Sequence, residues 1–178
     1  MVSHYDFAPR FADAYRAAQE AYRRDPAGTL SAIATQSGPW LTANGLTTQA
    51  LYDYVDDDER YGEPGLNRAL MIESVRRDYF LNVQQGQPST ALLDPDAMPS
   101  KDAEIDGISW LPRLIVKARA KLRGELPSSL MYGCGGDRAF LQEHDLDPAE
   151  FLSAVWRHDG QPAAIASWIH ARTNRRAS

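Results

Sequence analysis

The chain has 178 residues, of which 43% are hydrophobic, 10% aromatic and 24% charged, as is typical of a globular protein. This composition excludes a disordered chain, a collagen-like repeat and a disulfide-based scaffold, since the single cysteine, Cys134, cannot form an internal disulfide. The net charge of −5 argues against a general nucleic-acid binder. No run of apolar residues is long enough to span a membrane, and the first residues lack the apolar core of a signal peptide. We therefore expect a cytoplasmic protein.

The N-terminal half shows helical periodicity. Apolar residues recur at every third or fourth position after Phe7, which predicts a helix that ends near Asp25. A second predicted helix follows Thr47, whose hydroxyl group can cap it. A third begins at Pro64, a favourable residue in a first turn, and ends at about Gln84.

Residues 85–107 interrupt this pattern with three prolines and two glycines. We interpret them as a linker or extended strap between an N-terminal helical unit, residues 1–84, and a C-terminal helical unit, residues 108–174, within one compact globule. Residues 1–107 carry a net charge of −8 and residues 108–178 a net charge of +3. Opposite charges favour packing of the halves on each other or on a second copy. A chance difference between solvated faces is the alternative.

The C-terminal half is also helical in its periodicity. Ser109 can cap a helix that stops at Gly124, and Asp137 can cap a shorter one. Asp147 can cap the next helix, and Pro162 opens the last. No stretch alternates polar and apolar residues between hairpin signals, so no strand is required. These patterns predict an all-α fold, a compact multi-helix bundle.

The two halves resemble each other when they are aligned with an offset of one hundred residues. The matched apolar pairs include Leu41 with Leu141, Leu46 with Leu146, Leu51 with Phe151, and Val55 with Val155. This agreement favours two pseudo-symmetric four-helix units. Two unrelated helical sequences aligned in phase would share part of it, so a duplication and a chance match both stay open.

The C-terminal half carries an ordered series of short motifs. They are Trp110-Leu111-Pro112-Arg113-Leu114-Ile115, Gly124-x-Leu126-Pro127, Asp137-x2-Phe140-Leu141 and Leu146-Asp147-x3-Phe151-Leu152-x2-Val155. This series resembles a bacterial domain-of-unknown-function family, the one numbered five-zero-six-nine, over about residues 107–170. The resemblance implies a helical fold. It implies no catalytic residue, because the family is defined without an activity.

The first candidate site is the glycine-rich loop of residues 132–138. Its glycines let the backbone approach a ligand closely, and the start of the following helix favours the thiolate form of Cys134. We predict that Cys134 is a catalytic nucleophile or that the loop holds an anion, with Gly135, Gly136 and Arg138 as ligand-binding residues. The alternative is a tight turn around a small buried thiol.

The second candidate lies on the third predicted helix. If this helix lines a cavity between the halves, Arg76 and Arg77 would bind an acidic small molecule, and Tyr79 and Tyr61 would take part in catalysis. Otherwise, Arg77 forms a surface ion pair with Glu73, one helical turn away.

Two runs of like charge allow several interpretations. The acidic run of residues 56–59 at a helix end suits a divalent cation, a basic partner or plain solvation. The helix of residues 111–123 holds five basic residues and no acid, which suits a phosphate group, an anionic surface, the acidic half or solvent. The four histidines lack the spacing of a metal site, so we expect no metal and no cofactor.

Taken together, these patterns predict a helical protein that binds a small anionic molecule in a polar pocket between its halves, as a binding protein or as an enzyme of unassigned reaction. The alternative is a non-catalytic helical interaction or dimerisation module. The expected partners are the small anionic molecule and, for a homodimer, a second copy. We expect no membrane and no nucleic acid among the partners.

Overall fold

The structure is a computed structural model that describes residues 4–176, with side chains described as far as residue 173. Helices make up most of this part of the chain, and the predicted all-α class is confirmed. No helix within the described residues is both long enough and apolar enough to cross a membrane. The chain divides into two compact units, Met1–Ser89 and Thr90–Ser178.

The N-terminal unit consists of helices, and α1 packs against α2, α4 and α5. The bounds are α1 Phe7–Arg24, α2 Thr29–Gln36, α3 Gly38–Ala43, α4 Thr48–Tyr61 and α5 Gly65–Asn82. The core of this unit includes the fully buried side chains Phe11, Tyr15, Leu41, Leu51, Tyr54 and Ile72. Thr47 caps α4 as predicted, because its side chain accepts a hydrogen bond from the Ala50 backbone N–H. Helices α2 and α3 were not predicted, since only Thr29, Ile33, Gly38 and Leu41 of their residues are buried and each helix is too short to show a periodic stripe.

The acidic run at the end of α4 contacts side chains of α1. Tyr22 donates a hydrogen bond to Asp56 at 2.6 Å, and Tyr15 donates one to Asp58 at 2.9 Å. Arg23 forms an ion pair with Glu59 at 2.7 Å. The interpretation of this run as a solvated helix end is therefore wrong, because three of its four carboxylates fix α4 against α1.

The phenol of Tyr15 makes this contact sensitive to alkaline pH. Burial, and then the hydrogen bond to Asp58, raise the pKa of Tyr15 far above its ordinary value. Because the unfolded chain releases this proton at about pH 10 and the folded chain keeps it, stability is complete below about pH 10 and falls as the pH rises further.

We therefore expect Tyr15→Phe to make the alkaline loss of stability less steep by about 1.4 kcal/mol per pH unit, since one fewer proton is linked to unfolding. The loss of one hydrogen bond should cost about 1 kcal/mol at neutral pH. Urea unfolding of both proteins at a series of pH values from about 8 to about 11.5 measures both effects. Parallel curves for the two proteins above about pH 10 would contradict the linkage.

A sharp turn joins α3 to α4 at Gly45. This residue has a φ of +75°, and a Cβ atom there would lie 2.3 Å from Cγ of Phe80 on α5. Gly45 thus meets two requirements at once, the left-handed backbone and the close approach of a buried aromatic ring.

The C-terminal unit begins with a 3-10 turn, Pro95–Ala97, and a small antiparallel hairpin. The elements that follow are β1 Glu104–Ile105, β2 Ile108–Ser109, α6 Leu111–Arg123, α7 Gly135–Glu143, α8 Pro148–Arg157 and α9 Pro162–Arg176. Helix α6 packs against α8, α9 and β1. The hairpin was not predicted, because two residues per strand are too few to show alternation.

Helix α6 begins differently from the prediction. Ser109 lies in β2, and the residue that caps α6 is Trp110, which has a left-handed backbone with a φ of 68°. The side chain of Ser109 instead donates a hydrogen bond to Glu104 across the hairpin at 2.7 Å. A bulky residue in this conformation is unusual, and the surrounding contacts must hold it there.

The corners before α4 and α8 have the same backbone pattern at an offset of one hundred residues. The N–H of Leu46 donates to the carbonyl of Leu41, as that of Leu146 does to Leu141. Asp147 caps α8 as predicted, with its carboxylate accepting from two backbone N–H groups. Helix α2 has no counterpart at that offset, so a duplication stays a prediction.

Candidate functional site

The centre of the candidate site is the carboxylate of Asp137, which is fully buried. It accepts a hydrogen bond from Lys117 Nζ at 2.5 Å and one from the Gly133 backbone N–H at 2.9 Å. Trp110 Nε1 donates to its other oxygen at 3.1 Å. The predicted role of Asp137 as a helix cap is therefore wrong. It lies in the first turn of α7, where Cys134 is the cap residue, and its carboxylate binds a lysine of α6 instead.

Lys117 reaches this carboxylate from the inner face of α6. Its side chain is 3% exposed, and it lies at helical spacing from Trp110 and Leu114. Solvation of the basic helix is therefore the wrong interpretation for Lys117. A charge that is buried away from water is strongly destabilising when it has no partner of opposite charge. Lys117 and Asp137 therefore each require the other.

The thiol of Cys134 touches the same ammonium group. Lys117 Nζ lies 3.2 Å from Cys134 Sγ, and Cys134 is half-buried. The two residues after it, Gly135 and Gly136, are exposed and begin α7. The first N–H groups of a helix have no acceptor within the helix, and Gly135 and Gly136 supply two of those groups in α7.

Packing of Trp110 explains why one of these glycines cannot carry a side chain. A Cβ at Gly136 would lie 2.6 Å from the Trp110 ring. The ring thus packs against Gly136 at the start of α7 while its N–H donates to Asp137. Arg138 closes the loop from the other side, because its guanidinium donates to the carbonyl of Gly133 at 2.9 Å.

Tyr132, the first residue of this loop, is almost completely buried. Its hydroxyl donates a hydrogen bond to the carbonyl of Pro148 at 2.7 Å. Burial raises the pKa of Tyr132 well above its ordinary value, and the charges of Asp137 and Asp147 raise it further. Tyr132 is therefore a neutral donor that anchors the loop to the start of α8.

The predicted residues of the N-terminal unit lie on α4 and α5. Arg77 donates to Asn44 Oδ1 at 2.7 Å, and its guanidinium lies over the ring of Phe7. Burial lowers the pKa of Arg77. Arg76 donates to Gln84 Oε1 at 2.8 Å.

The pair of Glu73 and Arg77 was predicted to lie on the surface, and this placement is wrong, since Glu73 is 1% and Arg77 6% exposed. Tyr61, at the end of α4, is 67% exposed, and Tyr79 is partly buried. The structure thus places Cys134, Gly135, Gly136 and Arg138 at the start of α7, and Arg76, Arg77 and Tyr79 on α5. The roles proposed for these residues stay predictions.

Sequence reasoning missed the residues that organise the loop, Lys117 and Trp110. One signal was available: Trp110, Leu114, Lys117 and Lys121 recur at helical spacing along one face of α6. A lysine on an otherwise apolar face indicates a buried partner. The partner itself, Asp137, is twenty residues further along the chain and could not be assigned from this spacing.

Comparison with known families agrees with the resemblance found in the C-terminal half. Residues 96–178 match the family model described as Domain of unknown function (DUF5069). The C-terminal half is therefore similar to this family. All of the residues around Asp137 lie within the DUF5069 match, and the match begins before α6, near the 3-10 turn. No curated protein and no solved structure matches the chain.

Proposed function

We propose that the loop of residues 132–138 and Lys117 form a small-molecule site in which Cys134 reacts covalently with an anionic carbonyl compound. The observation that supports this proposal most directly is the contact between the buried Lys117 ammonium and the half-buried Cys134 sulfur, 3.2 Å apart. A cation beside the sulfur stabilises negative charge there, and the thiolate is the reactive form of cysteine.

The surroundings of the sulfur suit an attack on a carbonyl group. The thiol releases its proton to solvent, the sulfur electron pair forms a bond to the carbonyl carbon, and the carbonyl electron pair moves onto the oxygen. Gly135 and Gly136 are the first residues of α7, where their N–H groups would donate hydrogen bonds to this developing oxyanion. Arg138 adds positive charge to the same loop, which favours an anionic substrate.

Asp137 has a positioning role in this proposal. Its carboxylate holds Lys117 through the 2.5 Å hydrogen bond and is itself fixed by Trp110 and Gly133. The ammonium group is therefore kept beside the sulfur rather than in solvent. The pocket predicted between the halves is not needed for this site, and it stays a prediction.

Because Cys134 is the only cysteine, alkylation by iodoacetamide reports on this one thiol. We expect it to react at about pH 7 about tenfold faster than an ordinary exposed thiol, because Lys117 stabilises the charge on the sulfur. The rate is measured by mass spectrometry of the intact protein.

The matched control moves the thiol to an exposed turn in the same unit, in the double variant Cys134→Ser/Ser129→Cys. Far-ultraviolet circular dichroism shows whether this variant is folded. Equal rates for the two thiols, or a slower rate for Cys134, would contradict the proposed nucleophile. That outcome would favour the alternative, a non-catalytic helical interaction or dimerisation module.

A further inference from the structure

We propose that Lys117 and Cys134 form a reversible covalent cross-link, a sulfenamide, when the protein meets a hydroperoxide. The pair differs from an isolated cysteine because the lysine nitrogen already contacts the sulfur, at 3.2 Å. The inference uses the contact that supports the proposed function, but it needs no bound substrate.

The exposure of the two residues sets the order of events. Cys134 is half-buried, so we expect a molecule as small as hydrogen peroxide to reach it, whereas Lys117 is 3% exposed and shielded from solvent. The sulfur is therefore oxidised first. A sulfenic acid at this position has an amine beside it before further peroxide arrives, and sulfenic acids condense with nearby nitrogen atoms.

The reaction has two steps. In the first, Sγ attacks one oxygen of hydrogen peroxide, the O–O bond breaks, and the leaving hydroxide takes the thiol proton to form water. The sulfur is oxidised by two electrons to sulfenic acid, and the peroxide is reduced. In the second, the Lys117 ammonium passes one proton to Asp137, and the free amine attacks Sγ. The N–S bond forms, the S–O bond breaks, and the leaving hydroxide takes a second proton from nitrogen to form water.

Asp137 allows the cross-link to form in the protein interior without leaving a buried charge unpaired. The cross-link removes the positive charge of Lys117, and the proton received by Asp137 removes the matching negative charge. The neutral carboxyl group keeps its bonds from Trp110 and Gly133. No uncompensated charge is therefore left in the interior, which is the usual obstacle to losing one partner of a buried pair.

The test treats the folded protein with increasing hydrogen peroxide, digests it with trypsin and analyses the peptides by mass spectrometry. We expect a pair of peptides joined between Lys117 and Cys134, lighter than their sum by two hydrogen atoms, with tryptic cleavage after Lys117 lost. Dithiothreitol should restore both peptides.

Two controls use the same protocol. Peroxide added to the wild-type chain unfolded in urea should give no cross-link, because the contact is absent. The variant Lys117→Arg keeps the charge but offers no amine that can be deprotonated, so it should give sulfinic acid instead. The urea control does not depend on the variant being folded.

Three outcomes would overturn the inference: a folded protein whose Cys134 goes directly to sulfinic acid, a thiol that peroxide leaves unchanged, or a bridge that contains an additional oxygen atom. Failure here is distinguishable from failure of the proposed function. A slow alkylation rate together with the cross-link would overturn only the nucleophile, and a fast rate without the cross-link would overturn only the sulfenamide.

Discussion

Lys117→Met should lower the free energy of unfolding of the C-terminal unit by about 3–5 kcal/mol, because it leaves the Asp137 carboxylate buried without its cation. Asp137 is fully buried, and its remaining donors, Trp110 and Gly133, are neutral. Methionine fills much of the space of the lysine stem, so the loss reports on the charge rather than on a cavity. Urea unfolding followed by circular dichroism measures it.

A double-mutant cycle separates the pair from its surroundings. Asp137→Asn alone leaves the buried ammonium of Lys117 without an anion and should also be costly. The double variant Lys117→Met/Asp137→Asn removes both charges and should be less destabilised than the sum of the two single variants by about 1–3 kcal/mol. Lys101→Met, on an exposed turn, is the control and should change stability by less than about 0.5 kcal/mol. Additive effects of the two single variants would show that the ion pair is not coupled.

Gly45→Ala should destabilise the N-terminal unit by about 3 kcal/mol, since the new methyl group meets both a backbone penalty and a steric one. The φ of +75° disfavours any residue that carries a Cβ atom, and the methyl carbon would lie 2.3 Å from Phe80 Cγ. Phe80 is 3% exposed, so its ring has little room to move. Thermal and urea unfolding both measure the loss.

The matched control for this variant is Gly62→Ala. Gly62 has nearly the same backbone, with a φ of +74°, but no atom lies within 4 Å of the position of its Cβ. It should therefore cost only the backbone penalty, about 1 kcal/mol. A cost at Gly45 no larger than that at Gly62 would mean that the contact with Phe80 contributes nothing.

Local chemistry made part of the fold predictable. Thr47 and Asp147 were predicted as caps because a short polar side chain before an apolar periodic segment satisfies the free N–H groups of the next turn, and both do so. Asp137 has the same kind of sequence context, yet its carboxylate turns inward to Lys117. Sequence periodicity gives the faces of helices, whereas a contact between side chains twenty residues apart depends on how those helices pack.

The candidate site was also predictable only in part: the segment around Cys134 was predicted, and its contacts with α6 were not. The three glycines around Cys134 indicated the loop, because glycine is the residue that lets a backbone approach a ligand. The positive charge beside Cys134 comes from Lys117 on α6, which the loop sequence does not indicate. The left-handed backbone of Trp110, which donates a hydrogen bond to Asp137, also has no sequence signal, since bulky residues rarely adopt that conformation. Arg77 was expected to bind a ligand or an acid on the surface, and its contacts with Asn44 and Phe7 became visible only with the tertiary structure.

The three donors to Asp137 also bear on how the C-terminal unit folds. They come from the end of the hairpin, the middle of α6 and the loop before α7, separated from Asp137 by 27, 20 and 4 positions in the chain. A partly folded state that buries α7 before α6 has docked would hold a dehydrated carboxylate without its cation, at a cost of several kcal/mol. Such states are therefore disfavoured, and we expect this single carboxylate to couple the docking of the three segments.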